Sequence, residues 1–176
     1  MQGPRPRGTE VLEVDADTPL AWPISWVCAK ANAYNSAYVR LILMAHGYET
    51  QTAQGRAIFG TTIGAKYSQG GGGIQFCKEG ISLDTVARFA PLRELLDWID
   101  LKNCGTAYIT PGFEGGKGDG NVLCSRLAQI TQTPVRASTA TQLYDATTTD
   151  FGAWEGTVLT YGPNGNVIRV EQDPAN

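Results

Sequence analysis

The hydrophobic and polar positions of the chain fall into short apolar runs separated by polar, glycine-punctuated stretches. "TEVLEVDA" (9–16) alternates apolar and polar residues and predicts a first strand or an edge hairpin. "SWVCAKANAYNSA" (25–37) is ambiguous, alanine-rich enough for a short helix. "YVRLILMA" (38–45) is a continuous apolar run too short for a helix of its own, and predicts a central strand buried on both faces. The polar stretch after it has room for a hairpin lying over the end of the sheet. "GIQFCKEG" (73–80) reads as a short strand or a turn. In "SLDTVARFAPLRELLDWID" (82–100) the apolar residues 83, 86, 89, 92, 95, 96 and 99 carry helical spacing, with Ser82 as N-cap and a bend at Pro91.

"IDLKNCGTAYI" (99–109) predicts a second strand ending near Cys104. "GNVLCSRLAQIT" (120–131) predicts an amphipathic helix, and "PVRAST" (134–139) a third strand. "GTVLTYGPNGNVIRV" predicts a hairpin closed by Pro-Asn-Gly. Strands alternating with helices imply an α/β three-layer sandwich with a mostly parallel sheet. Residues 1–8 read as a disordered lead-in, and 9–172 as one domain.

Composition narrows the function classes. A chain of 176 residues, 42% hydrophobic and 18% charged, suits one folded domain. It contains no apolar stretch of the roughly 18 residues that a membrane span needs. The N-terminus lacks the apolar run of a secretory signal, so the expected location is cytoplasmic, with export by a non-classical route left open. A net charge of −3 with scattered Lys and Arg offers no stripe for nucleic acid. Cys28, Cys77, Cys104 and Cys124 lack paired metal-ligand spacing, so no metal site is expected. "PGFEGGKGDGN" does not form a phosphate loop, because Pro111 stands where the pattern needs glycine and Gly118 where it needs Ser or Thr.

The only histidine of the chain, His46, closes the 38–45 run, and Cys104 closes the next predicted strand. In open parallel sheets, sites gather beyond the carboxyl ends of the strands. A thiol is a weak nucleophile at its free pKa of about 8.5, and an adjacent imidazolium lowers it. His46 and Cys104 are therefore a candidate base and nucleophile, with the amides of Gly47 and Cys104 as donors to an oxyanion. Cys28, Cys77 and Cys124 are rival nucleophiles without such a partner. The competing reading of His46 and Cys104 is a pair of ordinary strand-end residues.

"LILMAHG" followed by "WIDLKNCGTA" resembles the caspase-like cysteine peptidase superfamily, nearest its bacterial, adhesin-associated branch. "GDGNVLCSRLAQITQTPVRASTATQ" (118–142) and "GAWEGTVLTYGPNG" (152–165) are similar to later pieces of that pattern, so the likeness spans roughly residues 37–165. The resemblance implies a caspase-like fold and a cysteine endopeptidase. His46 would be its general base and acid, Cys104 its nucleophile and Gly47 an oxyanion donor, while Ser138 and Thr139 would line the substrate pocket, against the competing reading of plain strand-end capping. It implies a peptide or protein substrate, no cofactor and, in many members, self-cleavage at a loop lysine such as Lys66 or Lys117. "KNCGT" keeps only the Cys-Gly of the caspase motif, and no acidic residue matches a specificity pocket, although Asp145 and Asp150 are near. Two other classes compete: a catalytically silent caspase-like binding module, and a flavodoxin-like cofactor-binding domain.

Overall fold

The computed structural model describes residues 8–34, 38–50, 57–59, 71–142, 144–145 and 150–175. Its elements in chain order are α1 (Ala21–Ala33), β1 (Arg40–Met44), β2 (His46–Thr50), β3 (Ala57–Phe59), β4 (Gly73–Gln75), a 3-10 helix (Val86–Leu92), β5 (Trp98–Lys102), α2 (Gly120–Thr131), β6 (Val135–Ser138), β7 (Tyr144–Asp145), β8 (Asp150–Phe151), β9 (Thr157–Tyr161) and β10 (Val167–Gln172). The main sheet runs β1-β5-β6-β9-β10. β1, β5 and β6 are parallel, and β9 and β10 are antiparallel to their neighbours. A small sheet, β3-β2-β4, branches off where β1 ends. The fold is thus mixed α/β, as the alternation of elements predicts.

Period-two side-chain alternation gives the main sheet two unlike faces. Leu43, Ile99, Leu101, Val135, Ala137 and Tyr161 point to one face and join a single core with Leu20 and Ile24 at the start of α1, Phe89 and Leu92 of the 3-10 helix, and Leu123 and Leu127 of α2. All three described helical elements belong to this core. The expectation of a three-layer sandwich is therefore corrected among the described residues, where helices cover one face only. The opposite face carries Asp100, Lys102, Arg136, Ser138 and Thr160, and Trp154 lies across it. Charged side chains at alternate positions of β5 and β6 make this face largely polar, poorly suited to a second helical layer.

Three further expectations are corrected. Among the described residues β1 is an edge strand, paired with β5 alone, and Ile42 and Met44 stay 46% and 42% exposed. It is not central and not buried on both faces. Residues 9–16 form no strand; Leu12 and Val14 still turn inward, and Asp15 ends the segment by accepting the amides of Asp17 and Thr18 at 3.0 and 2.9 Å. Within the 82–100 stretch residues 98–100 already belong to β5, and only Val86–Leu92 is helical, a 3-10 helix of seven residues with Thr85, not Ser82, as its N-cap. Its buried residues, Val86, Phe89 and Leu92, recur every three positions, the period of a 3-10 helix. Pro91 supplies no N–H, and Glu94 adopts φ 60° before β5 begins.

Other expectations hold. α2 starts where Asp119 accepts from the amides of Asn121 and Val122, and ends at Gln132 in the left-handed region. β6 occupies the predicted third strand. Gly165, at φ 85°, turns β9 into β10 at the Pro-Asn-Gly site. The lead-in expected at 1–8 lies, apart from Gly8, outside the described residues, as does Lys66.

Candidate functional site

The parallel ladder between β1 and β5 ends at the pair Met44–Lys102. His46 and Cys104 each stand two residues beyond that pair, past the carboxyl ends of neighbouring strands. At Ala45 the chain leaves the main sheet. β2 then pairs antiparallel with β4, setting His46 opposite Gln75 and Gly47 opposite Ile74. His46 is exposed and Cys104 half-buried.

Backbone contact joins the two segments. A Cβ added to Gly47 would stand 2.0 Å from the Cys104 carbonyl oxygen and 3.0 Å from its carbon. Only glycine permits that approach. Asn103, fully buried, donates from Nδ2 to the Ala45 carbonyl at 3.0 Å. On its other side the Cys104 turn is tied to the end of β6: Gly105 N–H donates to Ala140 O at 2.8 Å, and Ala107 N–H to Ser138 O at 2.9 Å. Gly120 also lies against this turn, where a Cβ would meet the Thr106 carbonyl oxygen at 2.0 Å. The nucleophile candidate is thus carried on a turn wedged between two glycines and pinned at both ends.

The Cys104 thiol donates to the Gln142 carbonyl, with sulfur and oxygen 3.7 Å apart. Gln142 is itself fixed, since its side-chain amide donates to the carbonyls of Ala140 and Glu155 and accepts from the Glu155 N–H. Burial pushes the Cys77 thiol up to about 11, with the charges of Glu79 and Asp15 acting in the same direction. Burial also raises the thiols of Cys28 and Cys124, the latter fully enclosed and further raised by Asp119.

Ser138 and Thr139 adjoin this region, but their hydroxyls are committed to the backbone. Ser138 Oγ is buried, donates to Glu155 O at 2.6 Å and accepts from Ala140 N–H at 3.0 Å. Thr139 Oγ1 donates to Thr157 O at 3.2 Å. Both close the crossing from β6 to β9, where a strand end needs acceptors and donors. Gly47 has a steric part in the structure, through its contact with Cys104.

Beneath the turn, on the polar face of the sheet, Asp100 is fully buried between Arg40 and Arg136. Arg136 Nε lies 2.8 Å from Asp100 Oδ1, and Trp98 Nε1 donates to the same oxygen at 2.9 Å. Lys102 Nζ sits 4.1 Å above the Trp154 ring, with the Arg136 guanidinium 4.8 Å from the same ring. Asn103, Gln142 and this ionic group escape motif reading. The signal for the ionic group was present in "WIDLK", where charged residues alternate with apolar ones at period two.

Among the described residues no three His, Cys, Asp or Glu side chains gather to hold a metal ion. No helix among them is long and apolar enough to cross a membrane. Compared with family models, curated proteins and solved structures, the chain matches none.

Proposed function

We propose that the chain is a cysteine peptidase of caspase-like architecture, with Cys104 as nucleophile and His46 as its base and acid. One observation carries the reading: Gly47 rests on the Cys104 carbonyl, so the His46 and Cys104 segments touch beyond the ends of two adjacent parallel strands. This is the crevice position that open parallel sheets use for chemistry.

The steps follow from the two groups. His46 takes the thiol proton as sulfur attacks the carbonyl carbon of a peptide bond. The Cys104 amide stabilises the oxyanion that forms. Collapse breaks the C–N bond, the leaving amine takes the proton from His46, and a thioester remains. Water, deprotonated by the same imidazole, then cleaves the thioester and restores the thiol. A second, non-catalytic reading, that of a silent caspase-like binding module, draws on the thiol's contact with the Gln142 carbonyl and on the pairing of His46 within the β2–β4 ladder.

Alkylation of the native protein by iodoacetamide, located by mass spectrometry and run beside His46→Ala, separates the two. The peptidase reading expects selective Cys104 labelling at about pH 6, lost in the variant. Equal labelling of Cys104 in both proteins, at a rate no greater than that of Cys28, would leave the binding module as the better account.

A further inference from the structure

We propose that Asn103 is a positioning residue that fixes the separation of His46 and Cys104, an inference that rests on the dyad reading above. The hydrogen-bonded rungs between β1 and β5 stop at Met44 and Lys102. Beyond them the chains part, one toward the small sheet and the other toward Ala140. At this fork the Asn103 side chain supplies an extra rung: its Nδ2 donates to Ala45 O at 3.0 Å. Its two ends are the residues directly before Cys104 and directly before His46.

Two contacts then bracket one distance. The approach of Gly47 to the Cys104 carbonyl sets how near the segments can come. The Asn103 hydrogen bond sets how far they can drift. Core packing alone does not account for this residue, because Asn103 Oδ1 is buried with no partner among the described residues, and so is Thr106 Oγ1 in the same turn. An aliphatic side chain of similar volume would avoid leaving an unsatisfied oxygen there. What the amide contributes, and an aliphatic group lacks, is the bond to Ala45.

The test measures Cys104 alkylation against pH in the wild type, His46→Ala, Asn103→Leu and Asn103→Ala, each checked for a folded near-ultraviolet spectrum. Both Asn103 variants are expected to lose about ten- to a hundredfold of the His46-dependent rate near neutrality. The rate at alkaline pH, where the thiol ionises unaided, should stay unchanged, as should labelling of Cys28 and Cys124. In the His46→Ala background Asn103→Ala should cause no additional loss. If the wild type shows His46-dependent reactivity and both Asn103 variants keep it, the positioning role is wrong while the dyad stands. If His46→Ala has no effect on the wild-type rate, the dyad falls and the role of Asn103 falls with it. Unfolding of both variants would also overturn the inference, because Asn103 would then be a residue of the fold.

Discussion

Gly47→Ala tests the close approach on which the site is built. The added methyl would lie 2.0 Å from the Cys104 carbonyl oxygen, so the two segments must separate by about 1 Å to reach even a tight contact of 3.0 Å. The obstacle is backbone, and it is held from both sides by the bonds of Asn103 to Ala45 and of Gly105 to Ala140. Gly47 has no left-handed φ, so the substitution probes crowding alone. Overpacking of this kind costs about 1–3 kcal/mol, and a rigid neighbour puts the value near the top of that range. Stiffening of the unfolded chain returns about 0.4–1 kcal/mol. The net loss of about 2 kcal/mol should lower the melting temperature by about 4–8 °C in a domain of this size. Gly152→Ala is the control, because no described residue lies within 4 Å of its added methyl. Calorimetry of both variants, with alkylation of Cys104 alongside, makes the comparison. Should Gly47→Ala melt with Gly152→Ala and label at the wild-type rate, the two backbones are not in contact and the site as described is wrong.

Two further outcomes follow from the buried charges and thiols. Asp100→Ala strands Arg40 and Arg136 against the sheet, and is expected to cost about 3 kcal/mol in urea unfolding, the low end for a broken buried pair because Arg40 can reach solvent. Asp100→Asn, which keeps an acceptor, should cost less; the reverse order would refute the network. Stability should also decline in alkali. The folded state keeps the Cys77 proton up to about pH 11, whereas an unfolded thiol releases it at about 8.5. The stabilisation is therefore full below about pH 8.5 and is lost as the pH rises toward 11. The raised Cys124 thiol and Tyr161 hydroxyl act with the same sign. Urea midpoints should fall across that window, and Cys77→Ala should flatten the slope; an unchanged slope would assign the decline to the other groups.

The sequence by itself determined the elements whose cause is local. The apolar stripe of α2 and the Pro-Asn-Gly turn each act within a few residues, and both were legible. The parallel neighbourhood of β1 and β5 was legible as well, because the helix-sized connection between two apolar runs is what a parallel crossover needs. What tertiary structure decided was everything that depends on a partner far along the chain. β1 looked central because its apolar run is continuous, yet edge or centre is set by which strands pair, and among the described residues β1 pairs with β5 alone. The spacing at 83–99 fitted an α-helix on paper, while the packed form is a 3-10 helix that follows the three-residue period of Val86, Phe89 and Leu92. At the site, the sequence supplied the types, His46, Gly47 and Cys104. That Gly47 rests on the Cys104 carbonyl, that Asn103 reaches Ala45 and that Ser138 turns inward to Glu155 depend on contacts between residues 17 to 58 positions apart. No local pattern encodes such contacts, because the folded sheet alone brings those backbones together.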